Sequence, residues 1–482
     1  MSAKNIACGG DSDVLSFREK IFFGLGDLYG GNIGFFISLV YFKFLTDVIL
    51  IPPGIAGTIV LITKVWDAVI DPFIGVISDN TRTRWGRRRP AIFIGGFLTV
   101  VTMGLLFLPL GSFELAVKVV YVTASWMFFC TVSSYISISY TSLSAEISND
   151  YRQRNTANSI RLAVSLTTTL IFAVLPLLIR DALTPVIGEA YSHLVMALVF
   201  GAVFGIALIL VALNTKERVP VPAEKTAFSW KLFIKPLQIK CFREILVFYT
   251  FAFLSLDIVT TLFQHFMQYV AHRESETSFV LGAMVGAQII TVPVVYRLTK
   301  RFSKPFIFKA FTPIWLLGAF CLSIYSASWD GWVIYAFAAL TGIGICGCVM
   351  MPWLMFPDAV DAGELKFGTR DTGTFSGVMV FLRQLSAAVG VAVVGWVMQW
   401  TGFNAELGTF GQPDSAITGF RVIIIVSSVL FLGLAFVFAL RSKMTEAKAQ
   451  TIKRALGLMR DGKKLGKKLQ SEIDKIKPEL IG

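Results

Sequence analysis

The chain has 482 residues, of which 55% are hydrophobic and only 16% are charged, and its formal net charge is +13. A soluble fold of this length has no interior large enough for so many apolar side chains, whereas a lipid bilayer solvates them. The composition therefore argues against a soluble enzyme or nucleic-acid-binding protein and indicates an integral membrane protein.

Apolar stretches long enough to cross a bilayer recur along the whole chain. Residues 92–110, 194–213 and 422–440 contain no Asp, Glu, Lys or Arg, and each has the length of about 20 residues that a helix needs to cross the hydrocarbon. Lipid offers no partner for an unpaired backbone group, so these stretches are expected to be helices. We predict spans at 22–46, 55–78, 92–110, 117–141, 155–179, 194–213, 245–270, 279–295, 306–327, 332–356, 375–398 and 422–440.

The arrangement of these spans predicts an all-α integral membrane protein with twelve transmembrane helices in two six-helix bundles. Lys and Arg cluster in alternate loops, which places both termini in the cytoplasm by the positive-inside rule. The basic tail either lies on anionic lipid through intermittent apolar residues or stays solvated. The predicted domains are a cytoplasmic N-terminus (1–21), a first bundle (22–213), a cytoplasmic linker (214–244), a second bundle (245–440) and a basic cytoplasmic tail (441–482).

The second predicted span carries three ionisable residues, Lys64, Asp67 and Asp71. Their spacing of i, i+3 and i+7 places them on one helical face. An uncompensated charge at the bilayer centre costs about 2.5–3.5 kcal/mol, so this face must look into a protein cavity. Two carboxylates one turn apart repel each other, so one of them holds a proton or the two share a cation. The face is therefore either an ion-coupling site or a structural ion-pair network that locks the helix to a neighbour.

Other polar side chains in the first half extend this candidate site. Asp27 follows glycines in the first span, where the glycines alone favour close helix packing. Ser134 and Ser137 lie in the fourth span, and serine hydroxyls either ligate Na⁺ or bond the carbonyl one turn back. Arg161 is a cation within the fifth span, and it either donates to a sugar or an anionic group or extends to the interface.

The second half has its own polar residues within spans. Gln264 and Gln268 share a helical face in the seventh span, which also contains Asp257. Arg383 and Gln384 lie in the eleventh span. These side chains either bind a polar solute or hold neighbouring helices together.

Several motifs together resemble one family. The second span reads Trp66-Asp67-Ala-Val-Ile-Asp71-Pro72-x-x-Gly75 and is followed by Ser78-Asp79-x-Thr-Arg-Thr-Arg84-Trp-Gly-Arg87-Arg88-Arg89-Pro90. Further along stand Asp150-x-Arg152-x-Arg154 and Asp358-x-x-Asp361-x-Gly363-Glu364, with Gly368-Thr-Arg370. This set closely resembles the glycoside-pentoside-hexuronide:cation symporters, the melibiose permease-like branch of the major facilitator superfamily.

The resemblance implies a twelve-helix fold that imports a sugar with H⁺, Na⁺ or Li⁺ by alternating access. It implies that Asp67 and Asp71 bind the cation and that Arg161 helps to hold the sugar. Other functional positions of the family fall on Gly31, on Gln384 and near Ser137 and Thr141, so the sugar side of the site differs. Animal relatives with a similar second-span motif carry lysophospholipids with Na⁺, which makes an amphiphile the alternative substrate.

Charged residues near the predicted inner face are expected to form ion pairs that close the inward side and break when it opens. They equally satisfy simple topology marking. These inner-gate residues are Asp79, Arg84, Arg87, Glu146, Asp150, Arg152, Arg154, Asp358 and Arg370.

We therefore predict a cation-coupled symporter of a sugar or glycoside in the bacterial inner membrane, acting as a monomer among membrane lipids, with no nucleic-acid partner and no cofactor besides the coupling ion. H⁺ is favoured over Na⁺ because Ile70 removes a Na⁺ ligand. Rival hypotheses are a lysophospholipid carrier of the same fold and a non-transporting scaffold or sensor, whereas no motif indicates an enzyme. The predicted cation site comprises Asp67, Asp71 and Ser134, and the predicted substrate site Arg161, Lys64, Asp27, Ser137, Thr141, Gln264, Gln268 and Gln384.

Overall fold

A computed structural model describes residues 15–148, 150–218, 234–368, 372–441, 444–460 and 466–481. Within these ranges the regular structure is helical, and the β-type pairing is a single isolated bridge between Thr83 and Gly86. The predicted all-α fold is therefore confirmed. Arg370, one of the predicted inner-gate residues, lies outside the described residues, as do 1–14 of the predicted N-terminal segment and 219–233 of the predicted linker.

The chain divides into two units, of which unit 1 comprises 1–51 and 62–228. Its first span is two helices in series that end in a π-helical turn at Phe44–Val48. The helices of this part of the chain are α1 (Phe17–Leu25), α2 (Asp27–Lys43), α3 (Pro53–Asn80), α4 (Arg89–Leu106), α5 (Leu115–Glu146), α6 (Tyr151–Ile187) and α7 (Glu189–Asn214). The first turns of α3, up to Leu61, are grouped with unit 2.

Unit 2 comprises 52–61 and 229–482. Its first long helix and its last membrane helix each contain a π-helical turn, at Phe266–Val270 and Ser428–Leu432. The helices are α8 (Lys240–His265), α9 (Thr277–Leu298), α10 (Lys304–Ile324), α11 (Gly331–Phe367), α12 (Thr372–Trp400), α13 (Asp414–Ser427), α14 (Gly433–Arg441), α15 (Glu446–Arg460) and α16 (Lys467–Leu480).

Eleven helical segments of the described chain are long and apolar enough to cross a membrane. The remaining predicted span, the second in chain order, corresponds to α3. This continuous helix of 28 residues carries Lys64, Asp67, Asp71 and Asp79. At 1.5 Å per residue α3 extends about 42 Å, which exceeds the hydrocarbon thickness. The chain is a multi-pass integral membrane protein, and its helix α3 is the one predicted to carry the coupling site.

Close helix packing in unit 1 depends on small residues, as expected where lipid removes the hydrophobic drive for association. Gly96 of α4 faces Gly205 of α7, and a Cβ at Gly96 would lie 2.8 Å from the Gly205 carbonyl oxygen. Aromatic rings fill the space farther along, with the ring centroids of Phe172 and Phe204 at 4.8 Å. This packing holds α4, α6 and α7 as a frame for the polar side chains described below.

The basic tail folds back onto unit 2. Its helix α15 packs on α11, and α16 packs on α15 and α8. Both helices bury an apolar face, made of Ile452, Ala455 and Leu456 in α15 and of Ile473, Ile476 and Leu480 in α16. The intermittent apolar residues of the tail therefore contact its own unit, an arrangement that neither of the two sequence hypotheses included.

Candidate cation and substrate sites

The charged face of α3 is anchored to α5. Asp67 is buried, and its Oδ2 accepts a hydrogen bond from Lys64 Nζ at 2.9 Å. Its Oδ1 accepts a hydrogen bond from Ser134 Oγ of α5 at 2.8 Å. A second bond joins the same two helices, since Trp66 Nε1 of α3 donates to Thr131 Oγ1 of α5 at 3.0 Å. Both Asp67 oxygens therefore have a donor, and the i, i+3 spacing of Lys64 and Asp67 is used as the helical geometry predicts.

Asp71 lies one turn farther along α3 and is partly exposed. The structure thus gives the two predicted cation-site carboxylates different surroundings, since Asp67 is 3% exposed and held by two donors. Among the described residues no group of three or more His, Cys, Asp and Glu side chains is placed to hold a metal ion. Na⁺ binding at Asp67 and Asp71 stays a prediction.

A second polar group in unit 1 joins α2 to α6. Asp27 at the start of α2 lies 3.6 Å from Arg161 Nε of α6, as measured to Oδ1. The guanidinium lies over the ring of Tyr140, with 5.7 Å between its Cζ and the ring centroid. The Tyr140 hydroxyl donates to the Phe23 carbonyl at 2.8 Å, which fixes the ring. Arg161 Nε has no hydrogen-bond partner in the described part of the chain, so this pair is loose.

The remaining predicted substrate residues are dispersed. Ser137 is partly exposed and Thr141 exposed on α5. In unit 2, Gln264 is buried near the end of α8, whereas Gln268, in the π-helical turn that follows, is partly exposed. Gln384 of α12 has a buried Oε1 without a hydrogen-bond partner among the described residues. The structure therefore brings together Lys64, Asp67 and Ser134, and it also brings Asp27 next to Arg161.

Unit 2 contains an intramembrane ion pair between two residues, Asp257 and Arg383, that sequence analysis named without predicting that they bind each other. Arg383 of α12 donates to Asp257 of α8 through two bonds, Nη1 to Oδ2 at 2.6 Å and Nη2 to Oδ1 at 2.9 Å. The guanidinium also lies over the ring of Phe253, 4.5 Å from its centroid. The sequence did place one acid and one cation in two apolar spans. An unpaired charge within the membrane has a high free-energy cost, so these two residues could have been predicted to pair.

At one end of unit 1, Asp79, Arg87, Arg88, Glu146 and Glu217 form a cluster that we call the polar end. Arg87 binds Glu146 through Nη2–Oε1 at 2.6 Å and Nε–Oε2 at 3.1 Å. Arg88 is 3% exposed and donates to Ser78, Asp79 and Glu146. Burial lowers the pKa of Arg88, but its bonds to Glu146 and Asp79 outweigh burial and raise the pKa above its ordinary value.

Glu217 caps the first turn of α4 from 130 residues away in the chain. Its Oε2 accepts from the Arg87 amide at 2.9 Å, and its Oε1 accepts from the Arg88 and Arg89 amides at 2.8 and 3.1 Å. A carboxylate at this position satisfies orphan N–H groups and complements the helix dipole. Gly86 has φ +106°, and a Cβ there would lie 2.5 Å from Glu217 Oε1, so this approach requires glycine.

The other predicted inner-gate residues have mixed surroundings. Asp150 caps α6 by accepting from the Arg152 amide at 2.7 Å. Arg84 and Arg152 are exposed, and Arg154 is partly exposed. Asp358 of α11 in unit 2 is buried between Lys304 Nζ at 2.5 Å and the tail residue Lys453, whose Nζ lies at 3.2 Å.

Sequence reasoning missed several residues at these sites. Glu217 and Lys453 had no role assigned, and neither did Glu19, which binds Arg218 through bonds of 2.7 and 2.8 Å. The run Arg87-Arg88-Arg89 predicted a charged cluster, but it did not indicate which arginine side chain is buried. The partners lie far away in the chain, so no local pattern could have found them.

Comparison with known proteins assigns the family. The family model described as MFS/sugar transport protein matches residues 22–446. The putative glycoside/cation symporter YagG of Escherichia coli is 26% identical, with 92% of this chain and 95% of the relative covered. The isoprimeverose transporter of Lactiplantibacillus pentosus is 25% identical, with 84% of this chain and 85% of the relative covered.

A solved structure shares the fold. The nucleoside transporter NupG superposes with a TM-score of 0.60 at 13% identity, covering 88% of this chain and 99% of that one. The fold and the family match agree with the resemblance seen in the motifs, and the family match assigns the chain to transporters rather than enzymes. The chain belongs to the family of MFS/sugar transport proteins.

Proposed function

We propose that this protein is a cation-coupled symporter that carries a sugar or glycoside across the bacterial inner membrane by alternating access. It works as a monomer, with both termini in the cytoplasm. The observation that carries the proposal is a carboxylate, Asp67, buried within a membrane span and held by Lys64 and Ser134. Two relatives, named a glycoside/cation symporter and an isoprimeverose transporter, support a sugar as the substrate.

At α3, the coupling cation competes with the Lys64 ammonium for the carboxylate of Asp67. Lys64 Nζ occupies Oδ2 at 2.9 Å and neutralises the carboxylate. An arriving H⁺ or Na⁺ takes over that neutralising role, with Asp71 one turn away as the second acid. H⁺ remains the favoured ion, because the apolar Ile70 offers no oxygen to a Na⁺ shell. Release of the ammonium then changes the charge that α3 presents to the rest of the site.

Substrate binding in unit 1 uses Arg161. Its guanidinium is only loosely engaged by Asp27, so it keeps donors for sugar hydroxyls. Tyr140 supplies an aromatic face beside it. Cation and sugar raise each other's affinity, because coupling between two binding sites is reciprocal.

The polar end of unit 1 keeps α3, α4 and α5 in register while access alternates. Arg88 bridges Asp79 of α3 and Glu146 of α5, and Glu217 holds the start of α4. Such a network makes one end of the unit move as a rigid body. In this proposal the ion pairs of Asp79, Arg87 and Glu146 persist while access alternates, in place of the opening and closing expected of them as inner-gate residues.

The test is uptake into proteoliposomes that contain the purified full-length protein. Radiolabelled methyl glucoside, methyl galactoside and isoprimeverose are offered under an imposed pH gradient or an imposed Na⁺ gradient. We expect accumulation of at least one sugar under one gradient, and loss of that accumulation in Asp67→Asn and Asp71→Asn.

The matched control is Asp181→Asn, which removes an acid that pairs with Arg180 in the same unit at 2.6 Å. Its accumulation should equal that of the wild type. Retained gradient-driven uptake in Asp67→Asn would overturn the cation site. Transport of lysophosphatidylcholine with no sugar uptake would replace the sugar by an amphiphile. The absence of uptake of either class under both gradients would favour a non-transporting role.

A further inference from the structure

Arg383 lies within a membrane span and yet keeps part of its side chain exposed. Its side chain is 29% exposed, whereas that of its partner Asp257 is 7% exposed. A cation that faced lipid at this depth would cost several kcal/mol. The exposed part of the guanidinium is therefore expected to meet water rather than lipid, and the buried acid lies behind it.

The ion pair leaves donors unused. A guanidinium has five N–H donors, and the two bonds to Asp257 engage one on each Nη. Three donors remain for a ligand, and their directions are fixed because the fork is planar and held at both tips. Since Asp257 neutralises the arginine, the pair as a whole carries no net charge.

Aromatic side chains continue from this pair. Phe253 lies under the guanidinium, and its ring centroid is 4.7 Å from that of Tyr249. Tyr249 in turn contacts Trp353 of α11 at 5.4 Å, and Trp353 is 45% exposed. Phe253 is partly exposed beside Arg383. Directed donors beside an aromatic face are what a ring with hydroxyl groups on its edge and C–H groups on its faces requires.

A buried acceptor next to Arg383 lacks a partner. Gln384 Oε1 makes no hydrogen bond within the described part of the chain. Leaving such a group unsatisfied is costly, so a bound solute or water is needed to complete it. This observation is independent of the ion pair and points to the same helix.

We infer that Arg383 is a substrate-binding residue of unit 2 that donates hydrogen bonds to the hydroxyl groups of a neutral sugar, and that Asp257 is its positioning residue. The inference rests on the proposed function and specifies its substrate class. The neutral pair favours an uncharged glycoside over a uronide, because an anion gains no net charge partner there.

The competing explanation is that the pair only staples α8 to α12. Two variants separate the explanations, measured with full-length protein in nanodiscs and 4-nitrophenyl glucoside, galactoside, xyloside and glucuronide as probes. Arg383→Lys keeps the charge but loses the fork, and we expect the Kd for the best neutral probe to rise at least about tenfold. Its matched control is Arg421→Lys, since Arg421 donates to the Ser323 carbonyl at 2.8 Å in the same unit. That control should leave the Kd unchanged.

The exchange Asp257→Arg with Arg383→Asp keeps an ion pair with its ends reversed. We expect the double exchange to recover thermal stability relative to either single change while the sugar affinity stays low. Recovery of both stability and affinity would show a staple and overturn the inference. Failure of the exchange to fold leaves Arg383→Lys decisive, because an unchanged Kd there overturns the inference by itself.

Asp257→Asn supplies a readout that a structural role does not move. With the arginine no longer neutralised, the ratio of glucuronide to glucoside affinity should rise about tenfold. An unchanged ratio contradicts the role of Asp257. If the wild type binds none of the four probes, the proposed function fails and this inference falls with it. If it binds one and all variants bind equally, the inference alone fails.

Discussion

Among the described residues, each unit holds an acid–arginine pair that joins two of its membrane helices, and these two pairs differ in how closely the partners bind. In unit 1, Asp27 and Arg161 approach only to 3.6 Å, and Arg161 Nε has no hydrogen-bond partner in the described residues. In unit 2, Asp257 and Arg383 share two bonds of 2.6 and 2.9 Å. Both guanidinium groups lie over an aromatic ring, Tyr140 in one case and Phe253 in the other.

The difference separates two uses of the same pair of residue types. A bidentate bond to a carboxylate is the strongest arrangement that an arginine makes, and it fixes the guanidinium in one orientation. The arginine of a loose pair has not used its donors on the acid, so the guanidinium remains available to a ligand. We interpret the loose pair as a site that substrate completes and the tight pair as a site that is ready before substrate arrives.

The same contrast appears at the ends of the units. Glu217 serves three backbone amides in unit 1 and is integrated into the polar end. In unit 2 the buried Asp358 is shared by Lys304 and by Lys453 of the tail, whose side chain is 54% exposed. The unit 1 contact is partly buried and consists of three hydrogen bonds, whereas the tail contact is a more exposed ion pair.

The largest loss of stability is expected when the tight pair of Asp257 and Arg383 is broken. Arg383→Met leaves Asp257 buried without its cation, and we expect the free energy of unfolding to fall by about 3 kcal/mol. Arg161→Met should cost only about 1 kcal/mol, because the loose pair contributes less. An SDS unfolding titration of both variants measures the difference, and equal losses would remove the distinction between the pairs.

Removal of the α4 cap comes next. Glu217→Gln keeps the shape of the side chain but removes the charge from the helix N-terminus, and we expect a loss of about 1–2 kcal/mol. The same titration with Glu446→Gln is the control, since Glu446 is exposed in the first turn of α15. If Glu217→Gln lowers the free energy of unfolding no more than Glu446→Gln does, the role of Glu217 as the cap of α4 is contradicted.

Arg161→Lys sharpens the interpretation of the loose pair. The charge stays and the fork is lost, so the Kd for a bound sugar should rise about tenfold, or about 1.4 kcal/mol, with little change in stability. Isothermal titration with the sugar identified by the uptake assay measures this. Arg152→Lys, an exposed position on the same helix, should match the wild type. A stability loss without an affinity change would make Arg161 structural.

The smallest effect is expected at the tail. Lys453→Gln should cost less than about 1 kcal/mol, because exposed ion pairs contribute little. Lys304→Gln should cost more, since its Nζ lies at 2.5 Å from the same carboxyl group and its side chain is less exposed. Thermal midpoints of the two variants give the order. The reverse order would mean that the tail, rather than α10, holds Asp358 in place.

Much of the membrane architecture could be predicted from the sequence, because the length of an apolar run and the cost of a charge in lipid are local properties. Lys64 and Asp67 pair within one helix, and Ser134 was expected in the same site and lies 2.8 Å from Asp67. Asp27 and Arg161 were both expected at the substrate site, and the structure brings them together.

Tertiary structure alone decided which distant partner each charge meets. Arg383 meets Asp257 across 126 residues, and Glu217 meets Arg87 across 130. Arg88, rather than the exposed Arg84, points into the polar end because the start of α4 and its rotation set that direction. The sequence by itself determined that charges lie inside the membrane and therefore need partners. The choice of partner followed from helix packing, since side chains remote in the chain become neighbours only once the helices are assembled.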